Sequence, residues 1–363
     1  KMEYSVLSTD YYRNRFRLVE TLYKFYTRRS NYVKGADTLY PMAIYNTCSM
    51  FASFKQDIAG IDYMQGQVNR KPEVNITNAL YKNLDINKFL KEIEGLEKEH
   101  YEYIQMQAGL IRLYTEPGDM DNYQNMREFI FGNIEKFSNA ERWLLSSALF
   151  TFILNKYISS SSSALLAEIA ELRKTQLKYV EFDKGGLGPM QSGVFRNIIE
   201  LFVVLGDIDY AAEVIEKFVP QLEASKRTAC KAYALALIEE SRGNNEKVLQ
   251  LIKNVDFNDP QAKYSVKMVA LVAYYALGYI EEGLSSCDAM KHFIKDTKEF
   301  SAPMKQHLLE RASVIEKLFK IKANPEKYSA ADIEEFEQSN KIHFAARREW
   351  FLAKTAELKK LVR

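Results

Sequence analysis

Leu205-Gly206-Asp207-Ile208-Asp209-Tyr210-Ala211, Arg242-Gly243-Asn244-Asn245-Glu246-Lys247-Val248 and Leu277-Gly278-Tyr279-Ile280-Glu281-Glu282-Gly283 are three versions of one turn. Their glycines stand 37 and 35 residues apart, the spacing of one helix-turn-helix unit per period. An apolar helical pattern precedes each glycine and an amphipathic one follows it. Glycine accepts the left-handed backbone that stops the first helix. The small residue five positions later lets the second helix lie close. Ala211, Val248 and Gly283 hold that place, Val248 being the poorest fit. Asn258-Asp259-Pro260 then halts the second unit and opens the next helix.

Outward from these turns the period stays helical, and no alternating run bounded by turn residues reads as a strand. A first helix begins after Ser8, Thr9 and Asp10 and carries Phe16, Val19, Leu22, Tyr23 and Tyr26 at three- and four-residue steps. Pro41 suits the first turn of a second helix toward Ile58, with Gly60, Gly66 and Pro72 marking a looser connection. Asp85 opens a helix through Phe89, Leu90, Ile93 and Leu96. Ser138 caps a helix, apolar around most of its circumference and so expected to be deeply buried, that holds Trp143, Leu144, Leu145, Ala148, Leu149 and Phe152. The polar run Ser159 to Ser163 is a soft boundary. Ser301 with Pro303, and a capping box at Ser329 and Asp332, start two further helices. A basic helix with Phe344, Trp350, Phe351, Leu358 and Leu361 closes the array as its cap. The expected regions are 1–160, helical pairs; 161–325, the repeats; and 326–363, capping helices.

The glycine turn, the small residue five later and the proline near the unit's end resemble the tetratricopeptide repeat (TPR), although other apolar residues fill most of its Tyr and Phe signature positions. The TPR-like resemblance implies an all-α fold, a right-handed α-solenoid of antiparallel helix hairpins, here about 14 to 16 helices in all. The first helices of such hairpins line a concave surface. That places Phe195, Asn197, Glu200, Tyr233, Glu240, Lys267 and Tyr274 where a partner segment would lie. The chain from Gly188 to Leu361 is also similar to a group of uncharacterised bacterial helical-repeat proteins. That likeness rests on Asn197-Ile198-Ile199, Gly206 to Phe218, Tyr275 to Phe293 and Arg348-Glu349-Trp350-Phe351-Leu352-Ala353-Lys354. It supports the fold and brings no activity with it.

Composition narrows the function classes. With 47% hydrophobic and 27% charged residues over 363 positions, the chain is globular and long enough for a large core. The longest apolar stretch, Trp143 to Leu154, is broken by Ser146, Ser147 and Thr151, too short a run to span a membrane. Residues 1–10 hold no basic-then-apolar run and are read as carrying no secretory signal. Cys48, Cys230 and Cys287 are odd in number and far apart, which argues against a disulfide framework and for a reducing, cytoplasmic setting. The net charge of +2 gives no global pull on nucleic acid. Locally the ends are basic: residues 1–34 carry eight Lys and Arg against three acids, residues 341–363 seven against two.

Chemistry-bearing patterns are sparse. Glu97 and His100 form a Glu-x-x-His pair, half of a di-iron motif, but His292, His307 and His343 have Ala289, Met304 and Asn340 three positions earlier, so the second copy is missing. The pair reads as a structural surface contact. Asp183-Lys184-Gly185-Gly186-Leu187-Gly188-Pro189 lacks the Gly-Lys-Ser/Thr ending of a phosphate loop and reads as a flexible connection. The three thiols read as small core residues. The expectation is therefore a non-enzyme without cofactor or metal, a scaffold or adaptor holding a protein or peptide partner. A second expectation is RNA binding through Arg13, Arg15, Arg17, Lys24, Arg28 and Arg29, which interleave with Tyr11, Tyr12, Phe16, Tyr23 and Tyr26. A third is a structural subunit whose terminal helices act as joints. Sixteen of the 23 tyrosines fall in residues 1–179, a supply of rigid contact area with polar tips.

Overall fold

In a computed structural model, which describes residues 9–67, 74–160, 162–340 and 347–362, the chain is all-helical and helical-repeat-like. It forms seventeen α-helices and no strand among those residues. Ser8, Pro72 and Phe344 lie outside the described residues. The chain divides into two compact units, residues 1–65 with 71–187 and residues 66–70 with 188–363.

The first unit holds α1 (Thr9–Arg28), α2 (Tyr32–Gln67), α3 (Ile76–Lys82), α4 (Ile86–Glu92), α5 (Lys98–Thr115), α6 (Met120–Gly132), α7 (Asn139–Ser160) and α8 (Ser163–Tyr179). Helix α2 starts at Tyr32, not at Pro41, and runs on through Gly60 and Gly66. The reason lies in the turn before it. Ser30 takes the left-handed backbone (φ 55°), and Asn31 Oδ1 accepts the Lys34 N–H at 3.3 Å, so the helix is already under way before the proline. Asp85 caps α4 through the Lys88 N–H at 3.0 Å, but α4 stops at Glu92 and Leu96 lies between helices. The Ser138–Glu141 capping box is formed in both directions, with Ser138 N donating to Glu141 Oε2 at 3.1 Å and Glu141 N to Ser138 Oγ at 3.3 Å. Helix α7 buries Leu145, Leu149, Phe152 and Ile153, while Leu144 and Ile158 face out. The serine run joins α7 to α8, which pack against each other.

The second unit holds α9 (Ser192–Val204), α10 (Ile208–Phe218), α11 (Arg227–Ser241), α12 (Asn245–Ile252), α13 (Pro260–Leu277), α14 (Ile280–Asp296), α15 (Ala302–Ala323), α16 (Ala330–Asn340) and α17 (Arg348–Leu361). Its three glycine turns are alike bond for bond. Gly206, Gly243 and Gly278 sit at φ 74°, 79° and 75°. The residue after each donates its N–H to the carbonyl five residues back: Asp207 to Phe202, Asn244 to Glu239 and Tyr279 to Tyr274, at 2.9, 2.9 and 3.0 Å. Each following helix then packs on the one before it, and α9 touches α11 as α11 touches α13, so neighbouring units meet through their first helices. The small position matters most at Gly283. A Cβ there would come within 2.2 Å of the Phe319 ring, so α14 and α15 approach as closely as a hydrogen side chain permits. Helices α16 and α17 follow on, with Ile333, Phe351 and Leu358 completing the core built on Tyr275, Ile315 and Phe319.

Candidate partner-binding face

The first helices of the three units bring part of the expected set together. Tyr233 on α11 is buried, and its hydroxyl donates to Glu200 Oε1 on α9 at 2.6 Å. Burial, then the adjacent Glu200 carboxylate, push that phenol far above its usual range, so it remains a proton donor. One turn or more along α11, Glu240 receives both arms of the Arg347 guanidinium, Nη1 to Oε1 and Nη2 to Oε2, the latter at 3.2 Å. Burial works against the Arg347 charge, but Glu240 more than offsets it, with Tyr233 and Glu200 adding to the effect. Arg347, which arrives from just before α17, is thus held by Glu240 and feels the charge of the bonded Glu200–Tyr233 pair nearby. Beside them Arg196 of α9 is almost fully buried, pairs with Asp259 at 3.1 Å and lies 5.3 Å over the Phe257 ring.

Phe195 and Tyr233, expected on the partner-facing surface, are core side chains at 0% and 1% exposure. Helix α11 packs against α9, α10, α12 and α13 and buries Tyr233 among them, while Arg227, Thr228 and Lys231 stay exposed. Asn197 is exposed. Lys267 is half-buried with its ammonium 5.7 Å over the Phe293 ring, and Tyr274 is half-buried beside the Tyr279 ring at 6.4 Å. Arg347 was not among the residues expected at this face. Its contact with Glu240 spans 107 positions of sequence, and nothing local announces it.

The basic first helix lies open. Arg15, Arg17, Lys24, Arg28 and Arg29 are exposed and Arg13 is half-buried. Lys24 pairs with Glu20 at 2.7 Å, while the Arg15 and Arg29 guanidinium groups lie 5.2 Å over Tyr11 and 4.2 Å over Phe25. Leu22, expected on the buried face, points outward at 37% exposure together with Leu18 and Phe25. The helix carries two apolar stripes. The one bearing Tyr12, with Phe16, Val19 and Tyr23 half-buried, takes the core.

The remaining candidates resolve into structure. His100 is buried, unlike the expected surface contact: its Nδ1 is hydrogen-bonded to the Tyr12 hydroxyl at 2.9 Å, and Glu97 stands 3.7 Å from its Nε2. Among the described residues no group of three or more His, Cys, Asp or Glu is placed to share a metal ion. The glycine loop is a tight turn closed between Lys184 and Leu187 and pinned by Asn139, whose amide donates to the Lys184 carbonyl at 2.9 Å and accepts the Glu181 N–H at 2.9 Å. All three thiols are buried and free, and burial pushes them up to about 12, 11 and 12 in chain order, so they are poor nucleophiles. Two open depressions, near Asp85 and Arg112 and near Tyr328 and Asp332, include none of the expected partner residues. No described helix is long and apolar enough to cross a membrane. Set against known proteins, the chain matches no protein-family model, no curated protein and no solved structure.

Proposed function

We propose that the second unit is a TPR-like, right-handed solenoid of antiparallel hairpins and that the protein is a non-catalytic scaffold or adaptor. It holds a partner segment against the face built by α9, α11 and α13. The observation that carries this reading is the seat of Arg347. A side chain from outside the three repeated turns lies on Glu240, with Glu200 and Tyr233 beside it, a recognition of one chain segment by the first helices of two units. On the same helices Asn197 is exposed and Lys267 half-buried, which leaves both with surface for a partner.

The test is affinity purification from native extract, with and without nuclease, using the unaltered chain and an Asn197→Arg/Lys267→Glu double variant. A protein recovered in stoichiometric amount after nuclease treatment, and lost from the double variant, is the expected result. It should persist when Arg13, Arg15 and Arg17 are replaced by Ala. Recovery of nucleic acid alone, released by salt, would replace this reading with the RNA-binding one.

A further inference from the structure

We propose that the outward stripe of α1 is a second docking surface, a seam for an acidic amphipathic helix of a partner protein. Leu18, Leu22 and Phe25 are 51%, 37% and 45% exposed, although residues of this kind drive burial elsewhere in the chain. They are not scattered. With Arg15 and Arg29 they occupy positions 15, 18, 22, 25 and 29, alternating steps of three and four, the period by which one helix offers a continuous seam to another; Tyr11, one step before Arg15, turns instead onto the Tyr12 and Tyr45 rings. This stripe is separate from the Tyr12 face that α1 turns to its own core.

Charge selects the occupant. From Thr9 to Lys34 there are seven basic residues and two acidic ones, and one of those two, Glu20, is taken by Lys24. Among the described residues no carboxylate is paired with Arg15, Arg17, Arg28 or Arg29. Charges beside an apolar seam decide which helix may lie on it, so the complement is a helix with Leu-like residues at the seam and Glu or Asp at its flanks. A second copy of this chain is a poor occupant: antiparallel pairing centred on Leu22 sets Arg15 opposite Arg29 of the other molecule, like against like. A lipid surface is also a poor fit, because Arg15 and Arg29 close both ends of an exposed apolar stripe that is only three residues long. For RNA, the ring faces of Tyr11 and Phe25 on which a base would stack already carry Arg15 and Arg29.

The probe is a designed amphipathic helical peptide with Leu at the seam positions and Glu at the flanking ones, fluorescently labelled, titrated with the full chain; its control carries Lys in place of Glu. The expected result is binding of the Glu peptide only. Leu22→Asp with Phe25→Asp, both at exposed positions and checked by circular dichroism, should weaken it by about tenfold or more. Arg15→Glu with Arg29→Glu should invert the preference, so that the Lys peptide binds and the Glu peptide does not. Equal binding of both peptides, binding of neither, or a preference that Arg15→Glu/Arg29→Glu leaves unchanged would overturn the proposal. So would binding of phosphatidylserine vesicles or polyuridylate that competes for the same stripe, or a stable dimer in sedimentation that Leu22→Asp dissolves.

Discussion

The turn between α1 and α2 and the three glycine turns of the second unit are the same object made from different residues. Asn31 donates to the Tyr26 carbonyl at 2.9 Å, five residues back, and Ser30 holds the left-handed position that Gly206, Gly243 and Gly278 hold later. Five residues after Ser30 comes Gly35, buried, matching Ala211, Val248 and Gly283 in their own units. The N–H at each of these small positions donates to the carbonyl four residues back, at 3.0 to 3.1 Å throughout. The two regions part in what covers them. In the second unit each helix pair is overlaid by the next, whereas α1 keeps an apolar stripe exposed. A turn geometry can thus recur without the sequence residue that usually signals it, and the backbone bonds, not the glycine, define the repeat.

The comparison breaks most sharply at the close contacts. Gly283→Ala drives a methyl into the Phe319 ring, a rigid and fully buried neighbour, and should cost about 3 kcal/mol in chemical denaturation. A close contact inside a first-unit helix, Gly109→Ala on α5, meets the Met126 thioether, the flexible part of its side chain, and should cost about 1 kcal/mol. Equal costs would mean that Phe319 yields as readily as methionine. Next in size is Arg347→Ala, which leaves the half-buried Glu240 carboxylate without its guanidinium. A loss of about 2 kcal/mol in the unfolding of the second unit is expected, with Arg347→Lys recovering part of it. The smallest effect has opposite signs in the two regions. Gly206→Ser puts a side chain into the left-handed backbone and should destabilise by about 1 kcal/mol, while Ser30→Gly relieves the same strain and should stabilise by about 0.5 kcal/mol. If both changes destabilise, the serine hydroxyl matters more to the first turn than its backbone does.

What could be read in advance follows from how locally each feature is decided. The glycine turns and the caps at Asp85, Ser138, Asp259, Ser301 and Ser329 were legible, because each is settled by bonds within a few residues. Ser30 was not, since serine rarely enters the left-handed region and does so here only because two helices fix the chain on either side. Pro41 was read as a helix start, whereas it lies inside α2, whose preceding turns begin from Asn31. The site fared unevenly. Glu200, Tyr233 and Glu240 do converge, but Phe195 and Tyr233 go to the core, because the three- and four-residue steps that mark a helix face do not say which neighbour covers it. The second stripe of α1 was not anticipated, since Leu22 was grouped with Phe16 and Val19 on a single apolar face and Leu18 and Phe25 were left unassigned. Only the placement of α1 shows that this stripe, and not the Tyr12 one, is left exposed.

By itself the sequence determined that the chain is helical, where its repeated turns fall and at which residues several of its helices are capped, because propensity, capping and the left-handed glycine are short-range matters. Tertiary structure alone decided that Arg347 lies on Glu240, that His100 is held beneath Tyr12, that Gly283 admits the Phe319 ring and that Leu22 faces outward. Each of these joins elements on separate helices, and which surfaces meet depends on the packing of whole helices, a quantity that no local stretch of residues carries.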